Sequence, residues 1–243
     1  MNDFWKKRSY SYDDLEWVNR EKYIEMILSE CNLKSFAVGC DLGTGTGIIA
    51  YELSKYCKTV YGIDISSDML DIAREKRSSF NIEYLLMNAE KLEFEDNIFD
   101  FVTARMTFHH IKNQEKAVSE IFRTLKSGGK LVIAEGIPPP GARRFYTEMF
   151  KMKEKRRTYS VDMLVELIEG GGFEDIVIKN HRMRNVSINN WLKESGLSDD
   201  ACKQIYDFHL DSPGYIKNAY NMKILQGDIF MDWQSAIVSG RKV

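Results

Sequence analysis

An excess of charge of either sign is missing from this chain of 243 residues: 34 basic residues stand against 36 acidic ones, a formal net charge of −2. So even a balance gives no global drive toward nucleic acid or an anionic membrane surface, and neither is expected as a partner. Cysteine is scarce. Cys31, Cys40, Cys57 and Cys202 lie far apart without C-x-x-C spacing, which removes support for a zinc or thioredoxin-type motif. Cys40, inside an apolar run, reads as a small buried residue. No apolar stretch is long enough to span a bilayer. The first ten residues, "MNDFWKKRSY", lack the apolar core of a secretory signal, so the expected location is cytoplasmic, with reduced thiols. No internal repeat or low-complexity tract is present.

What the chain does have is alternation. Residues 12–31 show helical spacing of Leu15, Val18, Tyr23, Ile27 and Leu28. Strands are expected at 36–42, 59–65, 82–87, 99–104 and 130–135. Helices are expected between them at 47–57, 66–77 (capped by Ser66 or Ser67) and 114–126, the last ended by Gly128 and Gly129. Such alternation implies a parallel sheet with helices on both faces. "IPPPG" (137–141) breaks the chain. Helices at 142–157 and 160–173 and a strand at 174–183 follow. Two or three short helices between 187 and 226 come next, then a final strand at 228–242, which no helix follows and which is placed antiparallel beside strand six. The expected fold is α/β: a seven-stranded, mostly parallel sheet with its last strand antiparallel. The 187–226 segment is a helical insertion between the last two strands, at the edge that overhangs the ligand end of the sheet. The chain reads as one domain, residues 1–243, with an amino-terminal helical segment at 1–31.

"CDLGTGTGIIA" (40–50) sets Gly43, Gly45 and Gly47 between the first strand and the first helix of the sheet. The spacing is G-x-G-x-G, and a lone glycine cluster is weak evidence. Three features sharpen it. Asp41, two residues before Gly43, suits a cationic ligand and disfavours a pyrophosphate. Asp64 ends the second strand, where a carboxylate accepts from both ribose hydroxyls. Asn88 and Ala89 follow the third strand, placed to read an adenine edge. Together they fit an adenosine bearing a positively charged amino-acid tail.

At these positions the chain resembles the class I S-adenosylmethionine-dependent methyltransferases, within them the group of ubiquinone-type and small-molecule enzymes. The matching pieces are "DLGTGTG" (41–47), "VYGIDISSDML" (60–70), "NAEKLEFEDNIFDFV" (88–102), "FHHI" (108–111) and "TLKSGGKLVIAEG" (124–136). They cover residues 36–136. Asn88 and Ser127 stand where the family often has Asp and Pro, and the 187–226 insertion is outside the shared core. The resemblance implies a Rossmann-like sheet and S-adenosyl-L-methionine as cofactor. It places Asp41, Gly43, Thr44 and Gly45 along the methionine part, Asp64 on the ribose, and Ile65 and Met69 on the adenine. Asn88, Ala89 and Glu90 meet the adenine edge, Arg105 lies near the methionine tail, and Tyr12 sits in an amino-terminal lid. Bland readings stand beside these: Gly47 for packing only, Met69 as core, Arg105 as a solvated loop residue, Glu90 as a cap.

Methyl transfer from a sulfonium needs nucleophile, methyl and sulfur held in line in a dry pocket. No metal is obligatory, and no metal-ligand cluster is visible in the sequence. An oxygen nucleophile still needs a base; His110, with His109 second, is the candidate, against a structural histidine. For the acceptor, Arg143 and Arg144 suit an acidic group, against a solvated helix start. Tyr146, Trp191, Tyr215, Tyr220 and Trp233 are candidates to wall a pocket. The basic run "KMKEKRR" (151–157) reads as a solvated helix face. The expected function is methyl transfer to a small molecule, with oxygen the first acceptor and nitrogen or carbon open. Alternatives are an RNA or protein methyltransferase, a non-catalytic S-adenosylmethionine-binding protein and a nicotinamide-dependent oxidoreductase. Oligomeric state is left open.

Overall fold

The structure is a computed structural model that describes residues 9–243. Its sheet contains β1 (Val38–Leu42), β2 (Thr59–Asp64), β3 (Ile82–Leu86), β4 (Phe99–Arg105), β5 (Leu125–Ile137), β6 (Phe173–Ser187), β7 (Lys223–Leu225) and β8 (Asp228–Lys242). The order is β3-β2-β1-β4-β5-β8-β6, with β7 paired to β8. Strands β1 to β5 run parallel, and β8 lies antiparallel between β5 and β6. Central strands are covered on both faces, so β4 is apolar along most of its length rather than alternating.

Helices α1 (Glu21–Leu28), α2 (Ile48–Ser54) and α3 (Ser67–Lys76) join one core; α4 (Gln114–Thr124) and α6 (Val161–Gly170) join another. Burying a side chain such as Leu53 or Ile121, each with no exposed surface, stabilises by about 1.5–3 kcal/mol. Ser66, Asn113 and Ser160 cap α3, α4 and α6 by accepting from the amides of Met69, Lys116 and Met163. A third core sits apart. It joins α5 (Arg143–Lys153), α7 (Ile188–Lys193), α8 (Asp199–Leu210) and α9 (Gly214–Ala219) to Leu15, Trp17 and Val18.

Four expectations need correction. Among the described residues the sheet has eight strands, because Gln226 and Gly227, both with positive φ, make a two-residue hairpin turn that pairs β7 with β8. Residues 12–31 are not one helix: a 3-10 turn covers Tyr12–Asp14, and α1 begins only at Glu21. Asp13 accepts from Thr46 Oγ1 at 2.7 Å and pairs with Arg77 at 2.8 Å, which ties this segment onto the β1–α2 turn. Residues 1–8 of the expected lid lie outside the described residues. Helix α5 ends at Lys153, and extended chain follows from Glu154. Gly128 and Gly129 lie in the irregular start of β5 instead of ending a helix.

Candidate functional site

The carboxyl ends of β1, β2, β3 and β4 open on a first cavity with about 1370 Å³ of empty space, part of it open to solvent. Its floor is the β1–α2 turn. Gly43, Gly45 and Gly47 all have positive φ, 67°, 55° and 85°, a region that costs other residues about 1–2 kcal/mol. They differ in what a Cβ would meet. At Gly43 it would strike Thr107 at 2.3 Å, and at Gly47 the Tyr84 hydroxyl at 2.4 Å; at Gly45 nothing lies within 4 Å. Gly43 and Gly47 therefore serve close packing, and Gly45 is the glycine that leaves room for a ligand.

Around that turn the expected residues gather. Asp64 is partly exposed in the cavity. Its Oδ2 accepts from the Gly45 amide at 2.8 Å and its Oδ1 from the Ser66 amide at 2.9 Å. Burial raises its pKa against those donors, and each oxygen keeps a lone pair for a hydroxyl. Ile65 is 57% exposed, an apolar side chain open to the cavity, whereas Met69 is buried and lines it from the core side. Asn88 and Ala89 line the far wall. Asn88 Oδ1 accepts from the Glu90 amide at 2.9 Å, and Glu90 accepts from the Asn113 amide at 3.0 Å, so Glu90 caps α4 as it lines the rim.

Three residues expected along the ligand, Asp41, Thr44 and Arg105, also hold the structure around it. Asp41 accepts from Thr44 Oγ1 at 2.7 Å and from Thr103 Oγ1 at 2.8 Å. Burial pushes its carboxyl up to about 6 against these hydroxyls. The Asp41 and Thr44 side chains thus brace the turn from beneath, though both residues line the cavity. Arg105 also lines it, and its Nη1 donates to the Val18 carbonyl at 2.7 Å, fastening the amino-terminal segment.

A second cavity, with about 850 Å³ of empty space, lies under the third core. Tyr12, Met106 and His110 line both cavities and so mark their junction. Phe145, Tyr146, Phe150, Trp191, Tyr220 and Trp233 wall the second one. Of the five aromatics picked out in the sequence, Tyr215 alone is outside it, 64% exposed. Arg143 and Arg144 are exposed and line neither cavity; Arg143 Nη2 lies 3.0 Å from Met163 Sδ. The cations of this wall are Lys153 and Arg156, from the run read as a solvated helix face. Because α5 stops at Lys153, the chain that follows turns inward instead of extending the helix into water.

The histidines need a second correction. His109 is buried, with Nδ1 2.6 Å from Glu135 Oε2 and its amide donating to Oε1 at 3.2 Å. Burial pushes Glu135 up to about 7. Burial, then the neighbouring His109 ring, push the His110 imidazole down to about 2. His110 is neutral throughout the physiological range but a far weaker base than an ordinary imidazole, which lowers its fitness as a general base. His209, which had no supporting context in the sequence, lines the second cavity, its Nδ1 2.7 Å from the Ile205 carbonyl.

The sequence shows no metal-ligand cluster, yet the fold brings atoms of His109, His110 and Glu154 within 4.8 Å of one another. Lys153 and Arg156 stand 3.2 Å and 3.4 Å from Glu154. Two positive charges on one carboxylate make the place less hospitable to a cation.

The family described as "Methyltransferase domain" matches residues 40–133, which spans the first cavity's turns. Over 131 residues the chain is 35% identical to the demethylmenaquinone methyltransferase of Thermus thermophilus, covering 52% of this chain and 57% of that one. Over 185 residues it is 32% identical to phosphoethanolamine N-methyltransferase 2 of Caenorhabditis elegans, covering 70% and 42%. The chain spans about half the length of the curated relatives it matches. The crystal structure of the YcgJ protein from Bacillus subtilis superposes with a TM-score of 0.81 over 92% of this chain and 99% of that one. At 20% identity that likeness shows the fold.

Proposed function

This chain belongs to the class I S-adenosylmethionine-dependent methyltransferases, and from that premise we propose that it methylates a small, largely apolar molecule bound in the second cavity. The observation that carries the reading is the junction: a cofactor cleft and an aromatic-walled cavity meet at Tyr12, Met106 and His110.

The first cavity fits the cofactor. Gly45 leaves a cradle that a Cβ would fill, Asp64 offers carboxylate lone pairs for the ribose, and the exposed Ile65 offers an apolar face for the adenine. When bound, S-adenosyl-L-methionine supplies a methyl group on a good leaving sulfur. The protein's share is then positioning and exclusion of water. Phe145, Phe150, Trp191 and Trp233 hold the acceptor body, and Tyr12 with Trp17 closes the amino-terminal side. Neutral His110 sits at the junction as a hydrogen-bond partner. The buried His109–Glu135 pair is the other candidate to take a proton from the acceptor, since His109 lines the second cavity.

Oxygen is the first acceptor atom to test and carbon the second. Nitrogen is third, since one relative's name gives it. The small-molecule reading rests on a concave, aromatic-walled cavity and an even overall charge, against an RNA or protein chain, which needs a long groove.

The test is a transfer experiment with methyl-tritiated S-adenosylmethionine offered separately to small-molecule, RNA and protein fractions. Label is expected in the small-molecule fraction. Label passing to RNA or protein, or to nothing while the cofactor binds, would overturn the reading.

A further inference from the structure

Resting on the reading of the second cavity as the acceptor site, we propose that Arg156 selects the acceptor, and that it selects a carboxylate carried on an apolar body. Arg156 lines the cavity, and its side chain is 7% exposed. Two adjoining aromatic rings lie against it, with Cζ 4.1 Å from the Phe150 ring centre and 5.7 Å from that of Tyr146. Its donors are badly served for so buried a group. Nη1 reaches Glu154 Oε1 at 3.4 Å and Nη2 reaches the Tyr146 hydroxyl at 3.5 Å, both at the outer limit of a hydrogen bond; Nε has no acceptor at all.

Other arginines of this protein show the satisfied state. Arg241 donates from both Nε and Nη2 to Asp175. Arg123 does the same to the two Glu120 oxygens, each at 3.0 Å. In Arg156 the same Nε–Nη2 edge is short of a partner, and Tyr146, which touches it, is itself a wall of the cavity. Two parallel N–H groups along one edge match a planar carboxylate bidentately; Nε is sealed from the cavity, so this pairing needs the side chain to shift toward the acceptor. Buried polar groups left unpaired are rare enough to ask what pairs them. Beyond the guanidinium the cavity offers Phe145, Met149, Trp191 and Trp233, which suit an aromatic or aliphatic body, while Lys153 and Glu154, which also line it, pair with each other at 3.2 Å.

The experiment is a titration of the whole protein, with and without S-adenosylhomocysteine, using biphenyl-4-acetate, indole-3-butyrate and dodecanoate, each against its own primary amide. At least one acid is expected to bind tenfold or more tighter than its amide. Arg156→Gln is expected to abolish the difference and Arg156→Lys to keep part of it, while affinity for S-adenosylhomocysteine stays within twofold. Should Arg156→Gln fail to fold, the wild-type comparison and the lysine variant carry the test. Acids that bind no better than their amides, including no binding of either, overturn the proposal, and so does a preference that survives loss of the guanidinium. Failure of S-adenosylhomocysteine to bind overturns the methyltransferase reading instead, and leaves the acid preference measurable in the protein alone.

Discussion

The two cavities of this protein are made of different material. The first is set by a turn: left-handed Gly43 and Gly45, amides of Gly45 and Ser66 aimed at Asp64, and strand ends that carry Ile65, Asn88 and Arg105. The second is made of side chains from β5, α5, β6, α7, α8 and β8, with Tyr12 and Trp17 from the amino-terminal segment. A cavity of the first kind keeps its shape through changes in neighbouring side chains, because a turn sets it. A cavity of the second kind changes with every substitution in its wall. That difference lets one fold hold a constant methyl donor and exchange its acceptors.

The largest effect is expected at Asp64, whose carboxylate joins the Gly45 and Ser66 amides at the floor of the first cavity. Asp64→Ala should weaken S-adenosylmethionine binding on the order of 100-fold, two charge-assisted hydrogen bonds at about 1.5 kcal/mol each. Isothermal calorimetry reads it; an unchanged affinity would remove Asp64 from the ribose.

Next come the glycines, which should separate packing from binding. Gly47→Ala adds a collision with the Tyr84 hydroxyl to the strain of its positive φ and should cost more than about 2 kcal/mol of stability in urea melts. Gly45→Ala meets nothing within 4 Å; it should cost less stability, about 1 kcal/mol, yet lose about tenfold in affinity for S-adenosylhomocysteine. The reverse pattern would mean that Gly47 faces the ligand.

On the side-chain-built cavity the test is acid. His209 is 1% exposed, and burial holds its imidazole down to about 4. The unfolded chain takes up this proton below about 6.5 and the folded chain does not, so stability is lost as pH falls from about 6.5 toward 4. By pH 5 the loss is about 2 kcal/mol. His209→Phe should flatten that acid limb. His110 carries the same sign, being held near 2, so methyl-transfer rates should show no inflection near 6.5 from this ring. An inflection that His110→Gln removes would restore it as the base.

The smallest effect is the roof. Residues 9–20 and 187–226 touch the second cavity through Tyr12, Trp17, Trp191, His209 and Tyr220. Hydrogen exchange in both segments should slow when cofactor and acceptor bind together. Equal exchange in both states would mean a rigid wall.

These two materials also explain what could be read from the sequence. The sheet, its antiparallel last strand and the glycine turn were legible because periodicity and turn chemistry are local: Gly43 to Asp64 sit within 22 consecutive residues. The hairpin of β7 escaped because Gln226-Gly227 is a weak turn signal beside a short exposed strand. Arg143 and Arg144 drew attention by following a proline break, whereas Arg156 looked like part of a solvated run. Only the early end of α5, set by tertiary contacts such as the Arg157 amide donating to the His109 carbonyl at 3.1 Å, turns Arg156 inward. The pairing of His109 with Glu135 joins residues 26 apart, and nothing local announces it.

In the proposed function the donor's reactive end meets the acceptor cavity at Tyr12, Met106 and His110, the residues common to both cavities. A crystal structure with S-adenosylhomocysteine tests it most directly. The ribose hydroxyls should lie on Asp64, the adenine against Ile65 and the sulfur facing that junction. A ligand lodged in the second cavity, or a sulfur pointing away from the junction, would contradict it.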